Sequence, residues 1–132
     1  SLLLKKKGDI DGAETLQRES LAIMQRLYGD EHPDVATVKG NLARTLAHER
    51  GNFVDAERLL QEAVATHRSV CGDEFPDVAD GLHSLAQVLL AKGDLERAEQ
   101  HGRQALEMQR EPKFQETVFY IRDRIAKLEE EQ

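Results

Sequence analysis

The segment Gly29-Asp30-Glu31-His32-Pro33-Asp34-Val35-Ala36 returns 43 positions later as Gly72-Asp73-Glu74-Phe75-Pro76-Asp77-Val78-Ala79, with seven of the eight residues unchanged. A second signature occurs three times: Gly8-Asp9-Ile10 with Ala13-Glu14, Gly51-Asn52-Phe53 with Ala56-Glu57, and Gly93-Asp94-Leu95 with Ala98-Glu99. Its spacings are 43 and 42 residues. A period of this size, filled with helical apolar spacing, is the mark of a solenoid of stacked helices, each unit too small to bury its apolar face alone.

Working outward from the two linkers, each unit reads as two helices. Proline lacks the N–H that would be unsatisfied in a first turn, and an acid beside it favours the positive end of the helix dipole, so Pro33-Asp34 and Pro76-Asp77 start helices. Leu42, Ala43 and Leu46 form an i, i+1, i+4 apolar cluster matched by Leu85, Ala86 and Leu89. Gly51 and Gly93 end these helices, because glycine takes the left-handed C-terminal conformation cheaply. Asp9, Asn52 and Asp94 then cap second helices. In those second helices Ala13, Leu16, Ser20 and Leu21 correspond to Ala56, Leu59, Ala63 and Val64, and to Ala98, His101, Ala105 and Leu106. The small residues stand where two helices must cross closely.

Two irregularities stand out. Ala43 to Gly51 spans one residue more than Ala86 to Gly93, which predicts a bulge or a longer turn at the end of the helix holding His48. Pro112 follows Pro76 by only 36 positions, and the stripe Phe114, Val118, Ile121, Ile125 and Leu128 predicts a final helix capping the open end. The expected organisation is a partial first repeat over 1–28 (the end of one helix and a second from 9 to 28), a repeat over 33–71, a repeat over 76–110, and a capping helix and tail over 112–132. The start without methionine, in mid-repeat, suggests a piece of a longer protein. It also leaves the apolar face of the 9–28 helix open, so self-association through this truncated N-terminal end is expected.

The linker pattern G-x-x-H-P-x-V-A, carried by Gly29, His32, Pro33, Val35 and Ala36 and again by Gly72, Pro76, Val78 and Ala79, resembles the tetratricopeptide repeat. The 42-residue period resembles the long variant found in kinesin light chains. The resemblance covers about Leu3 to Arg110 and implies an all-α, right-handed superhelical solenoid of antiparallel hairpins whose first helices line a concave groove. It implies a groove built of Thr37, Gly40, Asn41, Arg44 and His48 from one hairpin and of Asp80, His83, Gln87 and Ala91 from the next. In kinesin light chains the segment L-N-N-L-A places asparagines that hydrogen-bond an extended cargo peptide. Here it reads Gly40-Asn41-Leu42-Ala43 and then His83-Ser84-Leu85-Ala86. The lysine and asparagine pattern by which chaperone-binding relatives hold a terminal carboxylate is replaced by Gly40/Arg44 and His83/Gln87.

Bulk composition agrees with a binding role. The 132 residues suffice for one ordinary core. Eighteen Lys and Arg against 25 Asp and Glu give a formal charge of −7, with cations scattered among acids, which argues against a nucleic-acid partner. No apolar run approaches the ~20 residues of a membrane span. The single cysteine, Cys71, cannot form an intrachain disulfide and fits a reducing, intracellular and cytoplasmic setting.

Catalytic patterns are missing: no glycine-rich phosphate loop, no H-E-x-x-H, no G-x-S-x-G. His48-Glu49 are neighbours that point different ways on a helix. His67 and Cys71, spaced i, i+4, could share a metal, but two ligands do not close a zinc site, and the preferred reading of Cys71 is a semi-buried filler. His101-Gly102, standing where Leu59-Leu60 stand, predicts loosened packing near the cap, and Glu129-Glu130-Glu131 a solvated tail. The expectation is therefore no enzyme, no cofactor and no metal. A peptide or protein partner would lie in the groove with an acidic residue near Arg44. The alternative is a structural spacer or self-association segment of a larger repeat protein.

Overall fold

The computed structural model describes residues 2–131, with side chains described for 6–131. Six helices fill the described residues: α1 Leu2–Tyr28, α2 Pro33–Arg50, α3 Phe53–Cys71, α4 Pro76–Lys92, α5 Leu95–Met108 and α6 Pro112–Glu130. Consecutive helices pack on one another, and α2 touches α4 while α4 touches α6. The chain is thus a two-layer solenoid, with α2, α4 and α6 in one layer and α1, α3 and α5 in the other.

The core lies between the layers. Val35, Leu42 and Leu46 of α2, Leu59 and Leu60 of α3, and Val78, Leu82, Leu85 and Leu89 of α4 are buried, each leucine contributing about 1.5–3 kcal/mol relative to exposure. Alanines 43, 56, 79, 86 and 98 are buried with them and let the helix axes approach. Two glycines mark closer contacts still. A Cβ on Gly81 would stand 2.6 Å from Val64 Cγ2, where α4 crosses α3. One on Gly102 would stand 3.1 Å from Val118 Cγ2 and 3.8 Å from Ala86 Cβ, where α4, α5 and α6 converge. His101-Gly102 therefore marks tight packing and corrects the expectation of a loosened one: the missing side chain makes room for α6.

Helix ends follow the linker chemistry. Pro33 and Pro76 each open a helix, and the His32 ring accepts the Asp34 N–H on Nδ1 at 3.0 Å. Asn52 and Asp94 cap α3 and α5 through Asp55 N–H and Arg97 N–H. Gly51 (φ 66°) and Gly93 (φ 90°) take the left-handed conformation. At the end of α4, Asp94 N–H reaches back five residues to the Leu89 carbonyl at 2.9 Å. At the end of α2, Asn52 N–H reaches back six to the Leu46 carbonyl, also at 2.9 Å. Leu46 and Leu89 are equivalent positions, so the extra residue is absorbed in a widened last turn, and the repeats regain register at the cap.

The expected break at Gly8-Asp9 does not occur. Helix α1 runs unbroken through it, and Asp9 caps nothing. The turns at Gly51 and Gly93 fold one long helix back on another and bury a shared core. Continuing the helix gives intrahelical partners to the backbone groups that a turn at Gly8 would leave open.

The Ala-Glu of the recurring signature joins neighbouring repeats. Glu57, on α3, accepts Lys92 Nζ at 2.8 Å and Arg97 Nη2 at 3.0 Å, tying α3 to the α4–α5 turn. Its equivalents behave alike: Glu14 accepts Arg50 Nε at 2.9 Å, Asp11 also pairs with Arg50, and Glu99 faces Arg122 at 3.6 Å. The contact with Lys92, then the guanidinium of Arg97, holds the Glu57 carboxyl below its ordinary range against the opposing effect of burial.

Helix α6 closes the stack with Phe114, Val118 and Ile121 buried, Ile125 half-buried and Leu128 near the surface. Taking Pro112 as the counterpart of Pro76, Gln115 and Arg122 stand where α4 has Ala79 and Ala86. Exposed Phe119 stands between these two side chains and forms an apolar patch with Leu106 and Val118.

Candidate functional site

The α2–α4 layer presents its open side between the two helices. Thr37, Gly40, Asn41, Arg44 and Asp80 line one cavity of about 170 Å³, floored by Leu60, Ala63 and Val64 of α3. Arg44, His48, Gln87 and Ala91 line a second, of about 60 Å³, floored by Phe53 and Leu60. Arg44 is common to both, so the two form one furrow that it divides. The i, i+3, i+4 spacing of Thr37, Gly40, Asn41, Arg44 and His48 sets them along one face of α2.

Arg44 is exposed, and its Nη1 donates to Asn41 Oδ1 at 3.1 Å. Among the described residues it makes no ion pair, so its charge is not committed within the chain. Buried Gly40 keeps the path beside it clear: a Cβ there would meet only the Arg44 guanidinium, at 3.9 Å. The acids nearby are otherwise engaged. Asp80 accepts Lys113 Nζ at 3.1 Å, and Asp77 lies 3.8 Å from His67 Nε2.

His83 lines neither cavity. It turns to α6, where its ring lies 4.9 Å from that of Phe114 and its Nε2 lies 2.7 Å from Thr117 Oγ1. The Thr117 hydroxyl donates to the Lys113 carbonyl at 3.0 Å, so Nε2–H of His83 is the donor in that pair. Burial first, then the Lys113 ammonium, push His83 below the ordinary histidine range, with Asp80 and Glu111 opposing.

Sequence reasoning weighed His67 only as a metal ligand and passed over Asp77; both line the first cavity. His67 is buried and donates Nε2–H to the Pro33 carbonyl at 3.2 Å, which binds the end of α3 to the start of α2. Cys71 is exposed and not the semi-buried filler expected, because the helix end carries it past the α2 contact. No three His, Cys, Asp or Glu side chains gather in metal-binding reach among the described residues. Helix α6 also extends the open layer: the 36-residue offset brings Glu116, Tyr120 and Asp123 to the positions of Asp80, Ser84 and Gln87, and all three are exposed. The offset of the prolines was the signal that could have found them.

Compared with known proteins, residues 1–68 and 45–111 match the family model of the tetratricopeptide repeat. The chain belongs to the tetratricopeptide repeat family. Tetratricopeptide repeats generally mediate protein–protein interaction, and their fold is typically non-catalytic. Among solved structures, the chain is similar to BtubC (BKLC) from P. vanneervenii, with 23% identity and a TM-score of 0.82 over 90% of this chain and 51% of that one. It is similar to a kinesin-light-chain-like protein of nearly identical TPR-like repeats from Podospora anserina, with 22% identity and a TM-score of 0.81 over 95% and 63%. It is also similar to the N-terminal domain of stress-induced protein-1 from C. elegans, with 18% identity and a TM-score of 0.60 over 86% and 97%. The chain thus spans about half the length of the first of these and under two thirds of the second. No curated protein matches it in sequence. These solved structures share the all-α solenoid fold of the chain. No described helix is long and apolar enough to cross a membrane.

Proposed function

We propose that this chain is a non-catalytic interaction module that holds a peptide segment of a partner protein in the furrow between α2 and α4, with an acidic residue of the peptide at Arg44. The observation that carries the reading is the uncommitted guanidinium of Arg44 between two cavities of one open layer. Thr37, Gly40, Asn41 and Asp80 would contact one side of the peptide; His48 and Gln87 would contact the other. His83 serves by fixing α6 beside α4. Because Asp77 and Asp80 stand at the first cavity, the acidic residue belongs on the His48 side of Arg44, where no carboxylate lines the wall. A bidentate guanidinium–carboxylate pair there would be the main charged contact. The scattered cations and formal charge of −7 support a protein partner over nucleic acid and offer no basic surface for anionic lipid; the lone cysteine suits an intracellular, cytoplasmic setting.

The test is an array of extended dodecapeptides differing in the number and position of Asp and Glu, followed by solution titration of the strongest binders. Arg44→Ala should weaken the acidic peptides about tenfold, equivalent to roughly 1.4 kcal/mol, with binding falling as salt rises. Equal binding by Arg44→Ala and the parent chain would sink the assignment.

A further inference from the structure

Gly40 stands in the middle of α2, where glycine weakens a helix, and no close approach accounts for it. Gly81 on α4 differs, because Val64 occupies the place of its Cβ; at Gly40 a Cβ would meet nothing nearer than the Arg44 guanidinium, at 3.9 Å. Both glycines line the first cavity, so at their level neither the α2 wall nor the α4 wall puts a side chain into it. Its volume of about 170 Å³ exceeds the roughly 150 Å³ that suffices for a benzene ring, which is room for one side chain of a partner. Leu60, Ala63 and Val64 give that room an apolar floor.

The α4 wall is acidic. Asp77 and Asp80, three residues apart, share a face of the helix and both line the cavity. Among the described residues no lysine or arginine pairs with Asp77: its neighbour is His67 Nε2, 3.8 Å away, whose N–H goes to the Pro33 carbonyl at 3.2 Å. Asp80 gives Oδ1 to Lys113 at 3.1 Å, and that ammonium is shared with Glu111 at 3.6 Å. The helix dipole accounts for an acid in the first turn of α4, as it does for Asp34 in α2. It does not account for a second acid one turn on, at the edge of an apolar-floored cavity. Carboxylates beside an apolar floor suit a long basic side chain, whose methylenes bury while its charged head stays at the edge. An acidic side chain would be repelled there, and an aromatic one would desolvate the carboxylates without pairing them.

We propose that the first cavity takes a lysine or arginine side chain of the bound peptide, so that the furrow selects one basic and one acidic residue on opposite sides of Arg44. The inference rests on the reading of the α2–α4 furrow as a peptide site and names the second residue that it selects. Arg44 keeps the two apart. Once it is paired with the peptide carboxylate on the His48 side, its charge no longer opposes a cation in the first cavity.

The test is fluorescence-anisotropy titration of the 132-residue chain with dodecapeptides in which lysine or norleucine replaces each position in turn, in one series that carries an acidic residue and one that carries none. At one position lysine should bind at least about tenfold more tightly than norleucine, and the preference should fall as salt rises. Asp77→Asn should cut that preference to about threefold or less. Gly40→Leu, which fills the cavity from the side that has room, should weaken the lysine peptide about tenfold; if it lowers the urea midpoint, Gly40→Ala, which favours the helix, carries the test with a smaller loss. Lysine no better than norleucine at any position would overturn the proposal, and continued dependence on a peptide acid and on Arg44 would then leave the furrow reading standing. A lysine preference that survives both Asp77→Asn and the filling of Gly40 would put the basic residue elsewhere and overturn it as well. A preference lost in those variants but equal in the two peptide series would keep the basic residue in the first cavity and remove the acidic residue from Arg44.

Discussion

Four glycines share one residue type and have opposite consequences, decided by φ and by what stands where a Cβ would be. Gly8 lies inside α1 with nothing within 4 Å of its Cβ position, so Gly8→Ala should stabilise the chain by about 0.5–1 kcal/mol. Gly51 has equally open surroundings but a φ of 66°, so Gly51→Ala should cost about 1 kcal/mol. Gly81 has an ordinary helical φ and Val64 Cγ2 at 2.6 Å, so Gly81→Ala must displace α3 from α4 and should cost about 1–3 kcal/mol. Urea denaturation of the three variants checks all three signs; a loss in Gly8→Ala would mean that α1 does turn at Gly8. Gly40, the fourth, only faces the flexible end of Arg44. His83 adds a pH dependence. Its folded pKa lies below the ordinary value of about 6.5. The unfolded chain therefore binds the proton first. The stabilisation from neutral His83 is complete above pH ~6.5 and is lost as pH falls below that value towards the folded pKa. His83→Gln should flatten the fall in stability between about pH 7 and pH 5, measured by urea midpoints; an unchanged slope would remove His83 as its source.

At the scale of elements, the recurring glutamates are interrepeat ties. Glu57 bridges the end of α4 and the first turn of α5 with its side chain only 13% accessible. Glu57→Ala should cost about 1–3 kcal/mol in urea unfolding, because Lys92 loses its acid and Arg97 keeps only Asp94, at 3.5 Å. Glu57→Gln, which keeps the size and one acceptor, should cost less. Equal losses in the two variants would show that packing and not charge makes the tie. These glutamates also show what the sequence could and could not convey. Their recurrence beside alanine was visible, and so was a basic residue before each capping glycine, Arg50 and Lys92, but Arg97 and Arg122 share no such repeat position. The helices with two capped ends were readable because their signals are local: a proline N1, an Asn or Asp cap, a left-handed glycine. The break at Gly8-Asp9 carried two of those local signals, a glycine and an acidic cap without a proline, and α1 runs through both. The groove residues on α2 were named by the resemblance to tetratricopeptide repeats, and helical spacing keeps them on one face. His83 occupies the matching position on α4 but is claimed by Thr117 and Phe114, and nothing near residue 83 announces the arrival of α6. Cys71 and Gly102 were misjudged for the same reason, since exposure at a helix end and closeness at a three-helix junction are decided by distant segments.

For the whole molecule, the solenoid architecture means that stability passes between neighbours and does not radiate from one centre. Helix α1 is covered on one side by α2, α3 and α4 are covered on several, and α6 shields the otherwise open faces of α4 and α5. Phe114 is the largest side chain that α6 buries; it is fully enclosed and stacks on His83, which joins α6 to the layer that holds the groove. Phe114→Ala should cost about 3–5 kcal/mol, a large part of the stability of a domain this size. The damage should also be graded along the stack. Hydrogen exchange should show protection lost most in α6 and α5, where Gly102 and Ala105 lose their cover, less in α4, and least in α2. Lys113 and Thr117 would no longer be held against Asp80 and His83, so acidic-peptide binding at the α4 wall should weaken while Arg44 itself keeps its place. A uniform loss of protection from α1 to α6 would instead mean that the helices unfold as one cooperative unit, and that α6 acts on the groove only through global stability.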